Sequence, residues 1–294
     1  MLFLFSWFIA AMKRLLIISF SIVVFISCKK NDVSNGPLPA QTISNISYGA
    51  DAAQKMDLYL PAGRTADSTK LVVLVHGGAW SIGDKSDFTS YISTLQQKLP
   101  GYAVANINYR LATTSANHFP TQENDMKSAV DFLVSKSTSY HYSQEMVLLG
   151  ASAGAHMALL QAYKYSSPKI LAVVDFFGPT DMTGLYNFYA SNTTDQLAFQ
   201  ILMNGTPASN ASLYSQSSPI NFVTTQSPPT IIFHGSIDNV VPVDQSTSLK
   251  NKLLSAGVAA EMTVYPNLGH DVWPAATMDD AFNKIEAFIK ANAH

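Results

Sequence analysis

The fold is indicated by residues 146–156, which read Met146-Val147-Leu148-Leu149-Gly150-Ala151-Ser152-Ala153-Gly154-Ala155-His156. The first four residues are apolar and predict a buried strand, and the residues after Ser152 predict the start of a helix. The pattern Gly-x-Ser-x-Gly lies between the strand and the helix. Such a sharp turn needs glycine at positions 150 and 154, because side chains there would collide with neighbouring backbone. We therefore expect Ser152 to project from a sharp strand-to-helix turn.

Similar apolar runs recur along the chain and alternate with helical patterns. The runs that suit buried strands are 71–75, 102–107, 146–149, 170–176 and 230–233, and residues 262–265 predict a further strand. The last helical pattern starts with Thr277-x-x-Asp280, which predicts a capping box. This alternation predicts an α/β fold: a mostly parallel sheet with helices on both faces. Residues 43–48 and 56–60 predict an antiparallel hairpin at the sheet edge.

One irregular segment interrupts the alternation. Residues 178–218 are rich in Asn, Ser, Thr and Tyr, with a helix-like pattern near 196–203. The segment is too long for an ordinary loop between a strand and a helix. We expect a small cap over the carboxyl edge of the sheet, within one domain that spans residues 43–294.

A serine hydroxyl is a weak nucleophile unless a base and an orienting carboxylate assist it. Asp238 follows the buried run 230–233, and His270 lies on the loop after the run 262–265. The chain order Ser, Asp, His is the one that α/β-hydrolases use. We therefore predict Ser152 as nucleophile, Asp238 as acid and His270 as base. Asp181, which follows an earlier strand, is the rival acid.

The nucleophile also needs donors for the negative charge that develops on a carbonyl oxygen. The run 71–75 ends in His76-Gly77-Gly78-Ala79-Trp80, where two glycines let backbone N–H groups turn toward a ligand. We assign the oxyanion hole to Gly77 or Gly78 together with the N–H of Ala153. Trp80 is a candidate substrate-binding residue.

Taken in order, these motifs resemble the α/β-hydrolase carboxylesterases related to hormone-sensitive lipase. The shared segments are His76-Gly77-Gly78-Ala79-Trp80, Asn108-Tyr109-Arg110-Leu111-Ala112, Phe119-Pro120, Asp125, the Ser152 turn, His234-Gly235-x-x-Asp238 and Gly269-His270. The chain is most similar to a small bacterial branch that includes acetyl-xylan and feruloyl esterases. The resemblance implies an esterase that forms an acyl-enzyme. Ala79 stands where the lipase-like branch has a third glycine, so we expect short-chain or aryl esters.

Other residues receive structural roles. Arg110 and Asp125 resemble a family pair that braces the loop after a strand. We expect His156 to be a packed helix residue, and His76 and His234 to fix the shape of their loops. Four aromatic residues of the 178–218 segment either line an acyl or alcohol pocket or pack the cap: Tyr186, Phe188, Tyr189 and Phe199.

Composition excludes several classes of protein. The 294 residues are 47% hydrophobic and 13% charged, with a formal net charge of −2 and one cysteine. These values do not fit a disordered chain, a disulfide scaffold or a nucleic-acid-binding protein. No His/Cys/Asp/Glu spacing typical of a metal site and no phosphate-binding loop occurs, so we expect no cofactor.

The amino terminus predicts export. Lys13-Arg14 precedes the apolar run 15–26 and Ser27-Cys28, so residues 1–27 resemble a signal peptide whose true start is Met12. Cys28 lies where a bacterial lipoprotein carries its lipid, and residues 28–42 predict a flexible tether. We expect an envelope protein that meets the membrane only through Cys28; a soluble periplasmic or secreted protein is the alternative.

We therefore predict a serine carboxylesterase whose substrate is a small-molecule or oligosaccharide ester. Two alternatives stay open. A peptidase or amidase of the same fold would use the same residues, and esters matched with amides would distinguish it. A surface-anchored binding protein on an inactive scaffold would not react with a fluorophosphonate. The physiological ester and the oligomeric state are not specified by the sequence.

Overall fold

The computed structural model describes residues 36–293, and they contain an eight-stranded sheet. The strands are β1 (Gln41–Ser47), β2 (Lys55–Leu60), β3 (Lys70–Val75), β4 (Tyr102–Ile107), β5 (Met146–Ala151), β6 (Ile170–Phe176), β7 (Thr230–Gly235) and β8 (Ala260–Tyr265). Their order across the sheet is β1-β2-β4-β3-β5-β6-β7-β8. β1 and β2 are antiparallel to each other and β2 to β4, and all other pairs are parallel. The predicted mostly parallel sheet and its edge hairpin are confirmed.

Helices cover both faces of this sheet. They are α1 (Ile92–Lys98), α2 (Thr121–Tyr140), α3 (Ala153–Lys164), α4 (Met182–Phe188), α5 (Thr193–Leu202), α6 (Ala211–Gln216), α7 (Asp244–Ser255) and α8 (Ala275–Asn292). Three short 3₁₀ segments, Lys85–Tyr91, Tyr189–Ser191 and Pro219–Phe222, also occur in this part of the chain.

Alternate side chains of the central strands pack into two separate hydrophobic cores, one on each face of the sheet. Val73 of β3 packs with the buried residues of α2, α3 and α7, and the adjacent Val72 packs with those of α1 and α8. Because successive strand residues point to opposite faces, each strand must be apolar on both. This is why the strands of the sheet centre appear in the sequence as continuous apolar runs.

The predicted capping box before the last helix is wrong. Helix α8 begins at Ala275 after Pro274, and no side chain caps its first turn. Pro274 supplies the carbonyl that accepts from the N–H groups of Thr277 and Met278, so Thr277 already lies inside the helix. Asp280 instead accepts a hydrogen bond from the Tyr265 hydroxyl at 2.7 Å.

The irregular segment 178–218 contains three short helices and lies against loops at the carboxyl edge of the sheet. The helix-like pattern near 196–203 corresponds to α5, whose first turn is capped by the Asn192 side chain. The Tyr189 hydroxyl donates to the carbonyl of Val240 at 2.9 Å, and the N–H of Phe119 donates to that of Leu202. These bonds join the segment to the loops after β7 and β4.

The amino-terminal predictions fall mostly outside the described residues. The signal peptide 1–27 and Cys28 are not covered, and β1 begins at Gln41, so the last two residues of the predicted tether belong to the sheet. No helix in residues 36–293 has the length and apolar character needed to cross a bilayer.

Candidate active site

Ser152 lies on the turn between β5 and α3, in a strained backbone conformation. Its φ is 53° and its ψ is −121°, a region that residues with a Cβ rarely adopt. The turn is held because the Ser152 N–H donates to the carbonyl of Phe176 at 2.8 Å. A Cβ at Gly150 would come within 2.4 Å of the Gly154 backbone, which explains the glycine there. The hydroxyl is therefore presented at the carboxyl edge of the sheet, as predicted.

The structure brings the three predicted side chains together. His270, on the loop after β8, has its Nε2 atom 2.8 Å from Ser152 Oγ. Its Nδ1 atom lies 2.7 Å from Oδ2 of Asp238, on the loop after β7. The imidazole is thus oriented by a carboxylate on one side and contacts a hydroxyl on the other, the geometry that general-base activation of a serine requires.

Asp238 is held as an anion in a buried position. Its Oδ1 atom accepts from the N–H groups of Val240 and Val241 at 2.9 and 2.8 Å. Burial raises the pKa of this carboxyl, but hydrogen bonds from His234, His270 and the Val241 backbone outweigh burial and hold its pKa well below the ordinary range. The carboxylate is therefore charged wherever the neighbouring imidazole acts as a base.

Asp181, the rival acid, has a different task. Its side chain accepts from the N–H of Thr183 at 3.0 Å and caps α4. Its own backbone N–H donates to the side chain of Gln245 at 2.7 Å. The carboxylate that contacts His270 is that of Asp238.

The glycine loop after β3 lies directly beside the nucleophile. A Cβ built on Gly77 would lie 3.3 Å from Ser152 Cβ, and one on Gly78 would lie 2.1 Å from the carbonyl oxygen of Ile82. Gly78, Ala79 and Trp80 all have positive φ values, of 105°, 48° and 59°. Ala153 is the first residue of α3, where a helix leaves its N–H without an intrahelical partner. The candidate oxyanion donors are thus grouped around Ser152.

The other histidines hold loops and helices, in agreement with the sequence interpretation. The His76 ring stacks on Tyr109 with centroids 4.3 Å apart, and its Nδ1 contacts the carbonyl of Gly77 at 2.7 Å. His156 is fully buried, accepts from Trp80 Nε1 at Nδ1 and contacts the carbonyl of Ser217 through Nε2. Burial lowers the pKa of His156 to about 4. It is therefore a neutral packing residue.

The pair Arg110 and Asp125 braces the loop after β4. Arg110 Nη2 lies 2.6 Å from Asp125 Oδ1, and the Arg110 N–H donates to Oδ2 at 2.8 Å. The Gln54 side chain donates to the same carboxylate at 2.7 Å. These bonds join the residue before β2, the loop after β4 and α2, at positions remote in sequence from Ser152.

A pocket of about 500 Å³ opens between the glycine loop and the cap. Its walls are formed by Ala79, Trp80, Ser81, Ala112, Thr113, Thr114, Tyr189, Asp195, Ala198, Phe199, Ile201, Leu202 and Val240. Trp80, the predicted substrate-binding residue, forms one wall, and its indole N–H is used by His156 at 3.2 Å. Of the four cap aromatics, Tyr189 and Phe199 line the pocket, whereas Tyr186 packs edge-on against Tyr214 and Phe188 packs against Tyr189 outside the pocket lining.

Sequence reasoning did not predict the contacts that two residues, Phe177 and His234, make with the predicted triad. Phe177 follows β6 with a φ of 45°, and its ring packs on the His270 imidazole with centroids 4.6 Å apart. His234 places Nε2 3.3 Å from Asp238 Oδ2. The available signals were their positions at the carboxyl ends of β6 and β7. Within residues 36–293, no three His, Cys, Asp or Glu side chains are grouped to hold a metal ion.

Comparison with known proteins supports a hydrolase of esters. The chain is 28% identical over 257 residues to esterase LipQ of Mycobacterium tuberculosis, a match that covers 81% of this chain and 59% of that protein. With esterase LipC of the same organism the identity is 24%, covering 83% of this chain and 64% of the relative. The chain thus spans about three fifths of the length of these curated relatives.

Solved structures similar to this chain also include esterases. A truncated carbohydrate esterase from gut microbiota superposes with a TM-score of 0.67 at 25% identity, over 84% of this chain and 96% of that one. The bifunctional GH43-CE of Bacteroides eggerthii gives a TM-score of 0.70 at 28% identity, over 84% and 38%. The family model BD-FAE matches residues 56–253, which confirms the resemblance inferred from the motifs. This chain belongs to the BD-FAE family.

Proposed function

We propose that this protein is a serine carboxylesterase that hydrolyses esters of short-chain or aryl carboxylic acids. The observation that carries the proposal is the continuous contact from Asp238 through His270 to Ser152, with distances of 2.7 and 2.8 Å. Relatives named esterases and a neighbour named a carbohydrate esterase support the same reaction class.

The reaction follows from the geometry. His270 Nε2 takes the proton of the Ser152 hydroxyl as Oγ attacks the ester carbonyl, and Asp238 stabilises the imidazolium that forms. The N–H groups of Ala153 and of Gly77 or Gly78 stabilise the oxyanion. His270 then gives its proton to the departing alcohol, leaving an acyl group on Ser152. A water molecule, deprotonated by the same imidazole, releases the acid and restores the hydroxyl.

The substrate proposal rests on the pocket between the glycine loop and the cap. Its walls are largely apolar, with Trp80, Phe199 and Leu202 among them, and its volume of about 500 Å³ exceeds the needs of an acetyl group. The proposed substrates include acetylated or feruloylated fragments of plant polysaccharides, by analogy with the neighbour named a carbohydrate esterase. We further propose export and anchoring through a lipid on Cys28, on the sequence pattern alone.

A substrate panel tests the activity. The protein beginning at Lys29 would be assayed on esters from acetate to decanoate and on ferulate, each ester matched with its amide. Hydrolysis of esters and not of amides is expected, whereas faster cleavage of amides would indicate a peptidase or amidase. Ser152→Ala is expected to lower turnover by about 10⁴-fold or more.

Labelling with a fluorophosphonate separates an enzyme from a binding protein on an inactive scaffold. We expect mass spectrometry to find the label on Ser152 in the wild-type protein and none in the Ser152→Ala variant. Full hydrolysis by that variant, or no label on a folded wild-type protein, would contradict the proposal.

A further inference from the structure

His234, the fifth residue of β7, contacts the same carboxylate oxygen of Asp238 as His270 does. Its side chain is fully buried, with Nε2 2.9 Å from the carbonyl oxygen of Val241 and 3.3 Å from Oδ2 of Asp238. Its Nδ1 atom lies 2.7 Å from Oγ of Ser246 on α7. Both ring nitrogens are thus engaged, one with the loop that carries Asp238 and the other with a helix.

These partners fix which nitrogen carries the proton in the neutral ring. A carbonyl oxygen only accepts, so Nε2 must bear the hydrogen that is donated to Val241, and this N–H also lies beside Oδ2 of Asp238, 3.3 Å from Nε2. Nδ1 then accepts from the Ser246 hydroxyl. The Val241 carbonyl therefore sets the tautomer of His234, and the Ser246 hydroxyl, which can donate to Nδ1, is compatible with it.

Val241, His234 and His270 all contact the Asp238 carboxylate or one another. Val241 donates its N–H to Asp238 Oδ1 at 2.8 Å and accepts from His234 at its carbonyl. Oδ2 is shared between His234 at 3.3 Å and His270 at 2.7 Å. Rotation of the Asp238 carboxylate away from His270 would therefore break contacts at both of its oxygens.

We propose that His234 is a positioning residue for this reaction. It holds the Asp238 carboxylate in the plane that His270 requires, and its N–H draws negative charge away from Oδ2. A less basic carboxylate stabilises the His270 imidazolium less, so His234 keeps His270 in its neutral, proton-accepting form at lower pH. This role rests on the proposed esterase function.

The other groups that face His234 complete its environment. From β6 comes the buried carboxyl of Asp175, whose pKa burial raises to about 7, and the ring of Phe177 lies edge-on with centroids 6.4 Å apart. From α7 comes the Ser246 hydroxyl. Asp238 itself is the charged group in direct contact.

Two substitutions test the role because their amide groups lie at different distances from the backbone. The amide of an asparagine ends near the place of Nδ1, so His234→Asn removes the donor to Asp238. His234→Gln carries an amide about as far out as Nε2 and can still donate. We expect His234→Asn to lower kcat about 10-fold to 100-fold, the range for one hydrogen bond to a charged group, with little change in KM. We expect His234→Gln to recover most of that loss.

The pH profile separates positioning from simple structural damage. In His234→Asn the acid limb of kcat/KM is expected to move to higher pH, because the more basic Asp238 stabilises the His270 imidazolium. Variant His156→Asn is the matched control, since that buried histidine is also bonded at both nitrogens but lies away from Asp238. Its acid limb is expected to stay at the wild-type position.

The outcomes distinguish the two proposals. An active wild-type enzyme whose His234→Asn acid limb stays in place or moves down, or in which His234→Gln loses as much as His234→Asn, would overturn the role of His234 alone. A wild-type protein without esterase activity or fluorophosphonate labelling would overturn the proposed function and this role with it. Thermal melts of each variant show that the comparison is made on folded protein.

Discussion

Gly154 packs so closely against Val75 that a Cβ atom at position 154 would come within 2.0 Å of the Val75 carbonyl oxygen. Backbone cannot yield as the end of a flexible side chain can, so Gly154→Ala must separate α3 from β3. We expect a loss of stability of about 3 kcal/mol or more, measured by chemical denaturation. Gly101→Ala is the control, because nothing lies within 4 Å of a Cβ there. Equal stability of the two variants would contradict the close approach.

The choice of acid can be tested with a pair of matched substitutions. Asp238→Asn removes the carboxylate that orients His270, and we expect turnover to fall by roughly 10⁴-fold with the fold retained. Asp181→Asn changes only the residue that caps α4, and asparagine caps a helix about as well as aspartate, so we expect turnover within about threefold of wild type and stability within about 0.5 kcal/mol. Steady-state kinetics with one ester measures both. The reverse ranking would assign the acid to Asp181.

Much of this architecture is encoded locally. The apolar runs predicted the central strands, because strands covered on both faces are apolar throughout. The positions of Ser152, Asp238 and His270 followed once their strands were parallel, since the carboxyl ends of such strands meet at one edge. Glycines at 150 and 154 added a backbone requirement that only a sharp turn explains.

The parts that escaped prediction depend on chain paths rather than on local pattern. His234 contacts Asp238 only because the loop after β7 returns Val241 to the end of its own strand. Phe177 reaches His270 through a left-handed backbone conformation that its residue type does not favour. The start of α8 is set by Pro274, which outweighs the Thr277-x-x-Asp280 signal. Such effects arise from tertiary contacts and cannot be deduced from residue order alone.

Asp175 makes the stability of the protein depend on pH. Burial raises its pKa to about 7, although the Gly178 N–H donates to Oδ1 at 2.7 Å. An unfolded aspartate titrates near pH ~3.9, so between about pH 4 and pH 7 the folded state binds more protons than the unfolded state. This carboxyl is therefore increasingly destabilising as the pH rises through that window, and its cost is constant above it.

Asp175→Asn removes the free-energy cost of burying a charged carboxylate, because asparagine is neutral. Its amide oxygen can still accept from the Gly178 N–H. We expect the stability gain of the variant over wild type to grow by on the order of 2–3 kcal/mol between pH 5 and pH 8, measured by chemical denaturation at both values. Asp131→Asn, at an exposed side chain of α2, is expected to show a pH-independent difference within about 0.5 kcal/mol. A gain that shrinks with pH would show that Asp175 is charged and stabilised.

The pocket between the glycine loop and the cap is expected to select substrates by size. Ala198 of α5 lines this pocket, and Ala198→Phe would fill part of its volume of about 500 Å³. Leu197→Phe adds a ring at the adjacent exposed position and is the control. We expect Ala198→Phe to lower kcat/KM for bulky esters about tenfold, while acetate hydrolysis and the control variant stay within about twofold of wild type.

Two series of substrates show which part of the ester occupies the pocket: acids of increasing size on one alcohol, and alcohols of increasing size on acetate. Loss confined to the first series assigns the pocket to the acyl group, and loss confined to the second assigns it to the alcohol. If neither series responds, the pocket takes no part in substrate binding, and the exposed side chains of Ile237 and Val272, on the loops after β7 and β8, are the next to be tested.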